Sequence, residues 1–144
     1  MKKTMITLIT LLASELCLAY SLPNGSYHGN GLWNSLTAQG GYQTSAVIDN
    51  NRINGHYTLQ DGSTLDWNFE MQATSSVFFD VLNHGEKLGT GYCLEKASLC
   101  HYEISVGSLK LEESLVQQGN KIYRYGSKDE GRGPIMWQES LDKE

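Results

Sequence analysis

Proline occurs only twice in this 144-residue sequence, at Pro23 and Pro134, so long extended segments can join a sheet without losing backbone donors. Basic residues are scarce as well. Eleven Lys and Arg against 16 Asp and Glu give a formal net charge of −5, which argues against nucleic acid and anionic membrane surfaces as partners. Cysteine occurs three times, too few for a disulfide-built scaffold or a four-thiolate metal cage. No apolar run approaches the roughly 20 residues needed to cross a bilayer. Catalytic signatures are missing too: His28, His56, His84 and His101 are widely spaced, and no His-x-His, H-E-x-x-H or G-x-S-x-G pattern occurs. Gly29 and Gly31, or Gly40 and Gly41, make no phosphate cradle, because no helix start follows them. On these grounds no catalytic residue, cofactor or metal site is expected, and the chain reads as a non-enzyme.

What is present begins with residues 1–19, which read as an export signal. Lys2 and Lys3 supply the charged start, residues 5–12 a short apolar run, and Cys17-Leu18-Ala19 a small-residue cleavage site. Cleavage is expected after Ala19, with Ser21 as the alternative, leaving residues 20–144 as one domain large enough to close a single core. Its expected location is the periplasm or the medium, with no stable membrane insertion once the signal is gone. With Cys17 removed, Cys93 and Cys100 remain, and two thiols in an oxidising compartment are expected to pair and staple neighbouring strands.

Period-two alternation runs through the rest. Leu65, Trp67 and Phe69 alternate with Asp66, Asn68 and Glu70; Val77, Phe79 and Val81 alternate with Phe78, Asp80 and Leu82. Turn residues at Asp49-Asn50-Asn51, Asp61-Gly62, Asn83-His84-Gly85 and Gln118-Gly119-Asn120 separate the runs, with Asp61-Gly62 expected to form a type I′ hairpin. Strands are expected at 27–36, 42–49, 53–60, 64–72, 76–83, 87–93, 99–106, 109–117, 121–126 and 134–139. The expected longest loop is 126–133, and the tail after Leu141 is expected to fray. Short sequential hairpins without a helical window point to an all-β fold, a small antiparallel up-and-down barrel of eight to ten strands that removes its edges by closing.

Gly31-Leu32-Trp33 has the form G-x-W and resembles the opening motif of lipocalins and the wider calycin superfamily of ligand-binding barrels; Gly55-His56-Tyr57 and Trp67-Asn68-Phe69 are similar to strand patterns of avidin-type calycins. The lipocalin T-D-Y signature is missing, and no avidin binding residue is carried over. The resemblance implies that Trp33 closes one end of the barrel, packed by a basic side chain from the last strands. Arg124 is the candidate, and a guanidinium on an indole face gains roughly 0.5–2 kcal/mol.

The surplus of aromatics, eight Tyr, three Trp and three Phe, allows two readings of the interior. In one, Trp67, Phe79, Tyr102, Tyr57 and Tyr123 line a pocket for a small apolar or aromatic ligand. In the other the core is filled, and barrel-end loops, 126–133 above all, face an envelope protein as an accessory factor or secreted inhibitor.

Overall fold

A computed structural model describes residues 17–144. Residues 1–16, which carry most of the export-signal reading, lie outside the described residues. Ten strands follow one another: β1 (Gly25–Asn34), β2 (Gln39–Asp49), β3 (Arg52–Leu59), β4 (Thr64–Ala73), β5 (Phe78–Asn83), β6 (Glu86–Leu94), β7 (Leu99–Val106), β8 (Leu109–Gln118), β9 (Lys121–Asp129) and β10 (Ile135–Lys143). Each pairs antiparallel with its sequence neighbours, and β10 returns to β1 to close the barrel. The architecture expected from the alternation is therefore present, with one 3-10 turn, Glu95–Ala97, between β6 and β7.

The stretch Leu109 to Gln118, expected as a strand over 109–117, is paired along its length with β7 and β9. Several boundaries differ from expectation. β9 continues to Asp129 because Gly126, Ser127 and Lys128 stay in register with β8 and β10, which shortens the expected loop 126–133 to residues 130–134. β10 runs to Lys143, whose N–H donates to the Asn120 carbonyl, so the tail expected to fray is strand. The double positive-φ turns sit at Asn50-Asn51 and His84-Gly85. At Asp61-Gly62 only the glycine is left-handed, because the Asp61 carboxylate instead accepts hydrogen bonds from the Ser63 N–H and hydroxyl.

Strand direction separates the two ends. At the lower end lie the 50–51, 74–77, 95–98 and 119–120 connections. Leu18 and Leu22 are buried there with Ile48, Ile53, Met71, Val81, Ile122 and Leu141, and Tyr20 reaches Gln117 with its hydroxyl. Cys93 and Cys100, directly opposed on β6 and β7, are disulfide-bonded inside this core. The closed loop is short, so Cys93→Ser/Cys100→Ser is expected to cost about 2–3 kcal/mol, read as a shift of the urea midpoint that reducing agent reproduces in the parent protein.

Candidate functional site

A barrel of ten strands is wider than one of eight, and its middle must be filled by long side chains or left open. Inward positions at mid-height carry long, polar or aromatic groups: Tyr42, Tyr57, Trp67, Tyr102, Glu113, Arg124 and Glu139. The alternation places Glu113 between inward Leu111 and Leu115, and Glu139 between Trp137 and Leu141. Both carboxylates and the Arg124 guanidinium are buried. Arg124 donates from Nε and Nη2 to the two Glu113 oxygens at 2.9 and 2.8 Å, and from Nη1 to Glu139 Oε2 at 2.7 Å and to the Tyr57 hydroxyl at 3.1 Å. Tyr42 donates to Glu139 Oε1 at 2.7 Å, and Trp137 Nε1 to Glu113 Oε2 at 3.3 Å. One guanidinium thus holds two carboxylates from the flanking strands β8 and β10 in a fork that lysine cannot imitate. Burial pushes the Glu113 carboxyl above the usual carboxylate range despite the Arg124 charge beside it. Burial likewise raises the Tyr42 and Tyr57 hydroxyls far out of the physiological range, with Glu139 adding to both, so they act as neutral hydrogen-bonding groups.

Around this network the inward rings lie over glycines on the next strand. Trp33 opposes Gly40, Tyr42 opposes Gly31, Trp67 opposes Gly55, Phe79 opposes Gly91 and Trp137 opposes Gly126, and a Cβ on any of these glycines would meet the ring at 2.0–2.8 Å. Glycine is needed here for space, since each ring must lie flat against the neighbouring backbone.

The indole beneath Arg124 is that of Trp67, with the guanidinium carbon 4.2 Å from the ring centre. The expected Trp33–Arg124 stack is thus replaced. Trp33 pairs across strands with Trp137, one inward layer above Arg124, because Gly31 rather than Trp33 is the residue level with Glu139 and Arg124. Tyr57, Trp67, Phe69 and Tyr102 form a continuous run of ring contacts at 4.8–6.0 Å. Phe79 and Tyr102 are only 1% and 3% exposed, so neither borders a space open to solvent. Tyr123 has the outward phase of Tyr125 and points away from the interior.

The upper end differs. Trp33, Trp67, Ile104, Leu111, Ile135 and Trp137 all have the inward phase yet remain partly exposed, and Leu59 and Leu65, also inward, are 39% and 55% exposed. They form an apolar collar open to solvent above the Glu113–Arg124–Glu139 network. Two buried polar atoms near that network, Trp67 Nε1 and Thr44 Oγ1, have no partner among the described residues. No group of three or more His, Cys, Asp or Glu side chains placed to hold a metal occurs among the described residues.

The structure brings Trp67 and Tyr57, expected to line a pocket, and Arg124, expected to pack on Trp33, together with Glu113, Glu139 and Tyr42, which the sequence analysis did not single out. Glu113 is legible in the alternation of the strand expected over 109–117, since it shares a face with Leu111 and Leu115.

No protein-family model matches the sequence, and no curated protein matches it. Among solved structures the chain is similar to an S-type phycobiliprotein lyase from Guillardia theta, with a TM-score of 0.67 and 8% sequence identity over 84% of this chain and 88% of that one. At that identity the likeness is one of fold, and it agrees with the calycin-like architecture. It also overturns the expectation of a non-enzyme. A barrel of this shape serves as a lyase, so a closed β-barrel without recognisable catalytic motifs is no argument against catalysis.

Proposed function

We propose that this chain is an exported single-domain barrel, residues 20–144, that holds a small apolar or aromatic molecule in the collar at its upper end. The observation that carries this reading is the ring of inward yet solvent-open side chains, Trp33, Leu59, Leu65, Leu111, Ile135 and Trp137, above buried polar groups. Contiguous apolar surface open to solvent marks interaction sites on soluble proteins, and a few convergent polar groups beneath it give a bound molecule orientation. The likeness to a phycobiliprotein lyase supports a small-ligand role for a barrel of this shape and leaves chemistry on the bound molecule within the proposal. The buried disulfide supports an oxidising location, periplasmic or secreted, and Tyr20 and Leu22 keep the lower plug after cleavage at Ala19.

One observation favours the second reading, contact with an envelope protein through the rim: the full burial of Phe79 and Tyr102, expected as pocket-lining residues. The two readings separate in one titration. With N-phenyl-1-naphthylamine, a neutral planar probe, saturable one-to-one binding with quenching of tryptophan emission is expected, and Leu65→Glu/Leu111→Glu is expected to weaken it at least about tenfold, or 1.4 kcal/mol. Absence of saturable binding, or equal binding by the variant, would remove the collar as the site.

A further inference from the structure

All three tryptophans of the chain sit in the same kind of cross-strand pair. Trp33 is the register partner of Gly40, Trp67 of Gly55 and Trp137 of Gly126, and in each pair a Cβ on the glycine would meet Cε2 and Cζ2 of the indole, at 2.0–3.2 Å. The three rings therefore share one pose, with one face against the wall and the other turned to the interior. For Trp67 that second face is covered, since the Arg124 guanidinium carbon lies 4.2 Å from the ring centre. No cationic side chain covers Trp33 or Trp137 among the described residues.

Register orders the charges around these two uncovered faces. Glu113, Gly126, Trp137, Trp33 and Gly40 form one inward layer; Arg124, Glu139 and Tyr42 lie in the layer below, and Leu111, Lys128 and Ile135 in the layer above. Lys128 is matched at the rim, where its Nζ donates to Glu130 at 3.2 Å. Beneath it two buried carboxylates share one guanidinium, and every carboxylate oxygen accepts from Arg124, Tyr42 or Trp137, partners that favour the ionised form. Tyr42 and Tyr57 stay neutral and add no charge. The floor of the collar thus carries a surplus of negative charge in a poorly solvated place, where Coulomb interactions are stronger than in water. An anion entering the collar faces that surplus, and a neutral molecule gains nothing from it. A cation gains twice, from the carboxylates and from the uncovered indole faces.

On the collar reading, on which this rests, we infer that the ligand is an organic cation: a flat apolar body whose quaternary or protonated amine lies over the faces of Trp33 and Trp137, beside Glu113. The test displaces N-phenyl-1-naphthylamine from the protein at pH 8 with three naphthalene compounds that differ in charge: (1-naphthylmethyl)trimethylammonium, 1-naphthylmethanol and 1-naphthylacetate. The cation is expected to displace the probe at a concentration at least about fivefold lower than the alcohol, and the acetate only at a higher one. Trp33→Leu and Glu139→Gln, each checked for fold by circular dichroism, are expected to shrink the cation's advantage over the alcohol at least about threefold. That advantage is a ratio of two ligands on one variant, so a general weakening of the site does not move it. Equal displacement by the three compounds, a preference for the acetate, or an advantage that survives both substitutions would overturn the charge assignment and leave the collar standing. No binding of the probe removes the collar and the cation with it.

Discussion

Arg124→Met is expected to lower the melting temperature by roughly 10–20 °C, the largest loss from any single substitution in the interior. The change removes the one cation that Glu113 and Glu139 share and leaves two carboxylates buried without a counter-charge, a situation that costs about 3–5 kcal/mol. It also strips Trp67 of the guanidinium over its face, a smaller loss of about 1 kcal/mol. Against a total stability of about 5–15 kcal/mol for a domain of this size, such a loss leaves a marginal fold. The charge argument makes a second demand. If uncompensated charge dominates, the neutral combination Arg124→Met/Glu113→Gln/Glu139→Gln should regain more than half of the lost melting temperature, since amides can still accept from Trp137 and Tyr42. Arg124→Lys should regain little, because a single ammonium cannot span both carboxylates and the Tyr57 hydroxyl. A thermal melt of the four proteins decides it. If Arg124→Met and the triple variant melt alike, the loss comes from volume, and the network contributes no charge-specific stability.

The second large effect is expected at Gly29 and Gly89. A Cβ at Gly29 would stand 1.8 Å from the Ser140 carbonyl oxygen, and one at Gly89 1.9 Å from that of Glu103, both atoms of a neighbouring strand's backbone. Ring contacts at Gly55 or Gly126 can be relieved by a shift of the indole, but a ladder carbonyl can move only by parting the strands. Gly29→Ala and Gly89→Ala are therefore expected to cost about 3 kcal/mol each, the upper end of overpacking losses, by opening the β1–β10 and β6–β7 seams. Gly107→Ala and Gly119→Ala serve as the contrast. Both glycines are left-handed, with φ of 58° and 61°, but nothing stands within 4 Å of the added methyl, so only the backbone penalty of about 1–2 kcal/mol applies. Urea unfolding of the four variants should give this order. Equal losses across them would mean that conformation, and not space, is what these glycines supply.

Glu113 and Glu139 lie beneath the collar, and their oxygens are already engaged by Arg124, Tyr42 and Trp137. In this arrangement they fix the rings beneath the collar, so under the proposed ligand-binding reading Arg124 and its partners act as positioning residues.

Much of the fold was determined by sequence alone. Alternation such as Leu65, Trp67, Phe69 against Asp66, Asn68, Glu70 has a period that only a half-buried strand satisfies, and turn residues every ten positions or so leave no connection long enough for anything but neighbouring antiparallel strands. Pairing of Cys93 with Cys100 was expected from their being the two thiols left after an export signal, and adjacent strands bring them together. What only the tertiary structure decided is which distant residues meet across the barrel. Arg124 lies over Trp67 instead of Trp33, and it gathers Glu113 and Glu139, because strand tilt and closure of β10 onto β1 set the inward layers, and the tilt leaves no trace in any single strand's pattern.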